Sequence, residues 1–159
     1  MKSHQTSPAS NQHYRHLAIM VGISFLAMFI LMYAMVDAFS NVYVNVNQVY
    51  MAALMCAPMA LIELAVMRAM YQDRRKNVAI VVASLVVLAG SFLGIRAQAA
   101  VGDRQFLRSM IPHHGGAVLM CGQATIRDAE IMALCRNIQT GQQAEIEQMK
   151  GILRRLGSK

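Results

Sequence analysis

Three long apolar stretches constrain this chain more than any other feature of its 159 residues. They cover Leu17–Val36, Val49–Met67 and Val78–Ile95, and Glu63 is the single charged residue within them. A helix needs roughly 20 apolar residues to cross the hydrocarbon core of a bilayer. Because a chain of this length is too small to bury three such helices on every side, the sequence predicts three transmembrane helices. No small-residue cleavage site follows the first stretch, which is therefore predicted to remain as an anchor rather than to act as a signal peptide.

The basic residues, which give the chain its net charge of +7, indicate how these helices are oriented. Arg68 and Arg74–Lys76 lie between the second and third stretches, whereas residues 37–48 contain no Lys or Arg. Cytoplasmic loops carry the excess of Lys and Arg, so the N-terminus is predicted to be cytoplasmic and everything after Ile95 to lie outside. We therefore expect a bacterial inner-membrane protein with a periplasmic C-terminal domain. The lipid bilayer accounts for the positive charge, and no nucleic-acid partner is needed.

The sequence divides into three parts. Residues 1–16 are predicted to form a cytoplasmic tail that is disordered over its first 13 residues, residues 17–98 a three-span membrane anchor, and residues 99–159 a periplasmic helical hairpin. No helix breaker follows the third span before Pro112. A helix is therefore expected to run from the membrane straight into the outer domain.

Two helices are predicted in the outer domain. The first extends to about Ile126, and the second covers about Ala129–Leu156, with Asp128 as its N-cap and an apolar face at helical spacing. Two helices of this size cannot bury their apolar faces alone. They need the membrane-side helices or a second copy of the chain, so the sequence predicts a homo-oligomer, most simply a dimer, that closes a four-helix bundle. The predicted fold is all-α.

The first hairpin helix concentrates side chains that bind soft metals. Within residues 108–122, "RSMIPHHGGAVLMCG", five of them share an arc of about 120°, provided that Pro112 kinks the helix without ending it. These five are Met110, His113, His114, Met120 and Cys121. The second helix adds three residues on one face at i, i+3 and i+7, namely Gln142, Glu145 and Met149.

Two interpretations of this cluster remain open from the sequence. Thioether, imidazole and thiolate groups suit Cu(I), and imidazole also binds Cu(II) and zinc. Glu145 is then a further ligand or a carboxylate that orients a ligating imidazole. Alternatively, the methionines fill a helical core, the histidines hydrogen-bond within it, and no metal is bound.

Two segments, "FLRSMIPHHGGAVLM" and "AEIMALCRNIQTGQQAEIEQMKGIL", resemble the bacterial domain-of-unknown-function 305 family, whose mark is M-I-P-H-H followed by Q-x-x-E-I-x-x-M. The resemblance covers about residues 103–156 and extends to membrane-anchored members of the family. It implies a ferritin-like helical bundle and an association with copper binding and copper tolerance. The family's motif residues correspond here to Met110, His113, His114 and Met120, with Gln142, Glu145 and Met149 on the second helix.

The sequence thus predicts a membrane protein that sequesters copper, confers tolerance to it or senses it, as Cu(I). The alternative is a structural or interaction protein whose His and Met residues pack an oligomeric bundle. Catalysis is not expected, because a di-metal oxidase needs several inward carboxylates with Glu-x-x-His pairs, and only Glu130 and Glu145 are candidates for that role on the hairpin.

Cys121 and Cys135 depart from the family pattern and leave a further choice open. Both lie about seven residues from the predicted turn, on opposite helices, where partners come close in an oxidising compartment. A disulfide is therefore slightly favoured over Cys121 as a thiolate ligand. Cys56, within a span, is predicted to be a small packing residue.

The membrane half carries its own candidate residues. Methionines repeat along one face of each of the first two spans, at 28, 32 and 35 and at 51, 55 and 59, and Glu63 continues the second stripe. An ionisable residue in a span is a functional candidate because its burial is costly. The methionines either transfer soft ions between the outer domain and the membrane or, as we favour, pack against neighbouring helices. In the second case Glu63 pairs with Arg68 or forms a hydrogen bond with a serine or tyrosine.

Overall fold

The computed structural model describes residues 8–157, and every regular element in that range is helical, as the sequence predicts. Five long helices follow one another along the chain: α1 (Pro8–Leu31), α2 (Val46–Val66), α3 (Arg74–Arg96), α4 (Asp103–Gln123) and α5 (Ala129–Gly157). Two short 3₁₀ turns, Met32–Met35 and Phe39–Asn41, lie between α1 and α2. By length and composition, α1 to α3 are able to cross a membrane.

The chain folds as two compact units. The span unit contains the described residues up to Ile30 together with Val49–Ala99, and the hairpin unit contains Leu31–Gln48 and residues 100–157. The connection between α1 and α2 therefore packs with the α4–α5 hairpin, although the two segments lie far apart in the sequence.

Most buried residues of the span unit are small, and many of its large apolar residues are exposed, although Leu17, Leu64 and Tyr71 form a buried cluster. Ala52, Ala57 and Ala60 of α2 are buried, whereas Ile62 on the same helix is 60% exposed. Gly94 of α3 lets the helix approach the ring of Tyr50, which would lie 3.0 Å from a Cβ atom at that position. Small residues at contacts between helices and large ones on the outer faces are typical of helices in a bilayer.

The hairpin unit has a compact apolar core. Leu107 and Ile111 of α4 pack against Ile146 and Met149 of α5, and Ile111 and Ile146 are fully buried. The Asp128 carboxylate accepts hydrogen bonds from the backbone N–H groups of Glu130, at 2.9 Å, and Ile131, at 3.0 Å. The predicted N-cap of α5 is therefore confirmed, and α4 ends at Gln123, three residues before its predicted end near Ile126.

Two expectations about helix boundaries are wrong. The chain does not continue as one helix from the third span into the hairpin, because Gln98 and Ala100 adopt positive φ angles of 48° and 59° and residues 97–102 separate α3 from α4. At the other end, the polar residues 8–13 belong to α1 instead of a disordered tail, while residues 1–7 of that predicted tail lie outside the described range.

Candidate metal centre

Pro112 lies inside α4 without ending it, as the ligand arc requires. The helix continues to Gln123, so the residues on both sides of the proline keep a common helical frame. Because Pro112 has no N–H group, it leaves the carbonyl of Arg108 without its i+4 donor. Pro112 therefore does not end the helix, in agreement with the prediction, and both histidines follow it within α4.

His114 is buried between the two hairpin helices and uses both ring nitrogens. Its Nδ1 lies 3.0 Å from the carbonyl oxygen of Met110, one turn earlier, and its Nε2 lies 2.7 Å from Oε2 of Glu145 on α5. A carbonyl oxygen only accepts, so Nδ1 donates to it, and Nε2 also donates when the Glu145 carboxylate is ionised. The backbone of α4 thus fixes the ring orientation and directs Nε2 towards α5.

Two of the predicted thioethers belong to the apolar core next to this pair. Met149 is 9% exposed and packs with Ile111 and Ile146, and Met110 is partly buried against the same cluster. Met149 lies one turn beyond Glu145 on α5, and Met110 lies one turn before His114 on α4. The four residues therefore occupy neighbouring turns of two facing helices.

Gln142 completes this face of α5 with an unusual feature. Its Oε1 atom is buried and has no hydrogen-bond partner among the described residues. A buried acceptor without a partner costs about 1–3 kcal/mol, so such an atom is a position where a donor or a cation would be stabilising. Gln142 lies one turn before Glu145, on the side of α5 that faces α4.

The remaining predicted ligands lie away from the His114–Glu145 pair. His113 is exposed, with its ring centroid 6.0 Å from that of His114, and Met120 is 53% exposed. The structure therefore separates the ligand arc into residues directed towards α5 and residues at the surface. The rotation of 100° per residue gives the direction of each side chain only approximately. It therefore does not distinguish the residues that face α5 from those at the surface.

Cys121 forms a disulfide with Cys135, across a Cα–Cα distance of 5.1 Å. The structure thus has the pairing that the sequence slightly favours, and a disulfide sulfur offers no thiolate to a metal. Cys56 is a buried free cysteine in α2, in agreement with its predicted packing role, and its thiol lies 3.6 Å from Sδ of Met28.

The connection between α1 and α2 covers the glycine pair that follows His114. A Cβ atom at Gly115 would collide with the Asp37 carboxylate and lie 3.2 Å from Cγ1 of Val36, and one at Gly116 would lie 3.4 Å from the carbonyl oxygen of Met35. Asp37 is held by the side chain of Asn41, whose Nδ2 donates to it at 2.8 Å. Sequence reasoning missed this contact, although two adjacent glycines inside a helix are a signal of close backbone approach.

No three His, Cys, Asp or Glu side chains come together as a metal site within residues 8–157. Beside the His114–Glu145 pair the hairpin offers the methionine side chains of its apolar cluster, and thioethers are ligands that suit Cu(I).

In the span unit, Glu63 is bound by a tyrosine, one of the partners expected from the sequence. The Tyr71 hydroxyl donates to Oε1 of Glu63 at 3.3 Å. Burial, followed by the negative charge of Glu63, raises the pKa of Tyr71 above its ordinary value, so the phenol remains a donor. Met51 and Met55 are 40% and 46% exposed, so these side chains face outward and do not line the interior of the span unit. These contacts favour a packing role over a path for ions.

The family model described as "Domain of unknown function (DUF305)" matches residues 95–159. The chain is also similar to "Uncharacterized protein L153" of Acanthamoeba polyphaga mimivirus, with 29% identity over 140 residues that cover 86% of this chain and 90% of the viral protein. Because that alignment is longer than the hairpin domain, the similarity extends into the residues that form the spans. No solved structure matches the chain.

Proposed function

We propose, for a chain whose residues 95–159 belong to the DUF305 family, a role as a membrane-anchored protein that binds Cu(I) in its α4–α5 hairpin. The ligands are Nε2 of His114 and the thioethers of Met149 and Met110, with Glu145 and Gln142 beside them. The protein thereby sequesters copper, confers copper tolerance or senses copper.

The arrangement of His114 is the observation that carries the proposal. A histidine that ligates a metal usually donates its other ring N–H to a carbonyl or carboxylate, which fixes the ring for binding. His114 has that arrangement, because its Nδ1 donates to the Met110 carbonyl and its Nε2 is directed to the opposite helix. The Glu145 side chain is 59% exposed, so it is free to move away from Nε2 when a metal takes its place.

The neighbouring residues suit a soft cation. Met110 and Met149 belong to the same apolar cluster of the hairpin, and the buried Oε1 of Gln142 lacks a partner among the described residues. Binding at Nε2 exchanges a proton for the metal, because the ring must be deprotonated there. His113 and Met120, exposed on α4, are proposed to receive copper from solution before it reaches the buried ligands.

The topology supports a hairpin outside the cytoplasm. With three spans, the α1–α2 connection and the hairpin lie on the same side of the membrane, and these two segments make up the hairpin unit. The basic residues between α2 and α3 favour the cytoplasm for the opposite side. The Cys121–Cys135 disulfide suits an oxidising compartment, which in a bacterium is the periplasm.

A second candidate is a structural or interaction protein, in which the His114–Glu145 pair joins the helices without metal. The short hydrogen bonds at both ring nitrogens favour it. In either case we propose a homo-oligomer, because Met120, Ile131 and Leu134 leave an apolar surface at 53%, 49% and 56% exposure on the hairpin. A second hairpin packed there would complete a four-helix bundle.

Competition with a chromophoric Cu(I) chelator, on the full chain in detergent without oxygen, tests the proposal. We expect one Cu(I) per chain and an affinity lowered at least about ten-fold in His114→Gln and Met149→Leu. Met132→Leu, also on α5 but 38% exposed, is the matched control and keeps the wild-type affinity. Equal affinity in all four proteins would remove the site from the hairpin. Background copper in the wild type, with His114→Gln less stable, would favour the structural candidate.

A further inference from the structure

The span unit contains an apolar groove that none of its own side chains fills. The groove has a volume of about 600 Å³ and lies among α1, α2 and α3. Small residues form much of its wall, including Gly22 of α1, Ala57 of α2 and Ala83 of α3. A Cβ atom at Gly22 would have no atom within 4 Å, so the groove is open at this point.

The length of the groove matches half of a bilayer. Along α1 its wall extends from Tyr14 to Phe25, and the eleven steps between these two residues span about 16 Å at 1.5 Å per residue. The hydrocarbon core of a bilayer is about 30 Å thick, so one leaflet contributes about 15 Å. An acyl chain that begins at the Tyr14 end would therefore reach the middle of the membrane along this groove.

The Tyr14 end of the groove is the basic end of the span unit. The Tyr14 hydroxyl donates to Oδ1 of Asn77 at 2.7 Å, and Nζ of Lys76 lies 5.1 Å from the centroid of the Tyr14 ring. Arg15 follows Tyr14, and Arg74 and Arg75 are exposed at the start of α3.

Two carboxylates lie near this basic end, and they leave it positive. Asp73 caps α3 and lies 3.8 Å from Lys76, and Glu63 is bound by Tyr71. Against these two acids stand Arg15, Arg74, Arg75 and Lys76, so an excess of positive charge faces the level of the lipid headgroups. Basic residues at a membrane surface attract anionic lipids.

We propose that this groove binds one acyl chain of an anionic phospholipid, whose phosphate group lies at the basic end beside Tyr14, Lys76 and the α3 arginines. The apolar wall holds the chain, and the charge selects the headgroup. The lipid fills the space among the three helices that their own side chains leave open. The site is independent of the copper site, since all its residues belong to the span unit.

Native mass spectrometry of the full chain in a mild detergent tests this assignment, with dioleoyl phosphatidylglycerol and dioleoyl phosphatidylcholine as the two probes. We expect one phosphatidylglycerol molecule to remain bound, and phosphatidylcholine to bind weakly. Gly22→Leu fills the groove and abolishes retention. Gly90→Leu is the matched control, because Gly90 is also a span glycine with open space around it but lies outside the groove wall.

A charge variant separates headgroup selection from packing. Arg74→Gln/Arg75→Gln changes exposed residues and leaves the groove wall intact, so we expect the protein to fold and its preference for phosphatidylglycerol to fall on the order of ten-fold. Equal retention of both lipids by the wild type would overturn the proposal, as would undiminished retention in Gly22→Leu. A loss of dimer in Gly22→Leu with lipid retention unchanged would instead assign the groove to a helix of a second copy.

Discussion

The span unit and the hairpin unit differ in the residues that they bury most often. In α3 the buried positions are Ser84, Ser91 and Gly94, while Val82 and Val86 of the same helix are more than half exposed. In the hairpin the large residues Ile111 and Ile146 are fully buried. The hairpin therefore has a core of large apolar residues, whereas the span unit exposes many of its large apolar residues and buries mostly small ones beside the cluster of Leu17, Leu64 and Tyr71.

This difference shows that an apolar residue type does not by itself determine whether a side chain is buried. In water, burial of large side chains is the main driving force for folding, and it selects the faces of α4 and α5. In a bilayer the lipid tails are as apolar as the side chains, so burial of large side chains gives little driving force. Helices there associate instead by close packing through small residues. The same residue type, isoleucine, is thus a core residue in the hairpin unit and an exposed residue on α2 of the span unit.

Truncation of one isoleucine in each unit tests this difference most strongly. Ile146→Ala leaves a cavity between α4 and α5, and we expect it to lower the free energy of unfolding by about 2–5 kcal/mol. Ile62→Ala removes a side chain that is 60% exposed, and the expected loss is far smaller. Denaturant unfolding of both variants in the same detergent measures the difference. Similar losses would contradict the assignment of separate packing rules to the two units.

Removal of the disulfide probes the hairpin unit alone. Cys121 and Cys135 are 14 residues apart, and a bridge that closes a loop of this size contributes about 3 kcal/mol. The double variant Cys121→Ser/Cys135→Ser is expected to unfold its hairpin at lower denaturant concentration and to leave the span helices unaffected. A thiol assay on the denatured wild type should count one free thiol before reduction, that of Cys56, and three after it. Three thiols before reduction would rule out the bridge.

Alanine substitutions at two glycines of the hairpin are expected to change stability least, and in opposite directions. Gly115→Ala places a methyl group against Asp37 and Val36, and we expect a loss of about 1–3 kcal/mol as the α1–α2 connection shifts. Gly141→Ala, on α5 with no atom within 4 Å of its Cβ position, is expected to stabilise the helix by about 0.5–1 kcal/mol. Changes of opposite sign in the unfolding temperature of the two variants would support the contact between Gly115 and the α1–α2 connection. An unchanged unfolding temperature in Gly115→Ala would contradict that contact.

Much of the fold was predictable, because local signals determine it. Long apolar stretches predict α1 to α3, Asp128 predicts the start of α5, and helical spacing predicts that Glu145 and Met149 face α4. The break at residues 97–102 was not predictable in this way, because its positive φ angles occur at Gln98 and Ala100 instead of at a glycine. The contact of the α1–α2 connection with Gly115 depends on tertiary structure, which periodicity does not describe.

The candidate site was predicted as a set of residues but not as an arrangement. Helical rotation places Met110, His113, His114 and Met120 on one arc, yet the structure buries His114 and exposes His113 and Met120. An arc of about 120° is wide enough to include both the face packed on α5 and its exposed margins. The pairing of His114 with Glu145 needs the register of α4 on α5, and the turn after Gln123 sets that register.

X-ray absorption spectroscopy at the copper edge, on the Cu(I)-loaded full chain, is the most direct test of the copper site. We expect sulfur scatterers together with a nitrogen scatterer that shows the multiple scattering of imidazole, and the loss of one sulfur in Met149→Leu. Met132→Leu should give the wild-type spectrum. A first shell of nitrogen and oxygen alone, or a spectrum that Met149→Leu leaves unchanged, would contradict a site built from His114 and the core methionines.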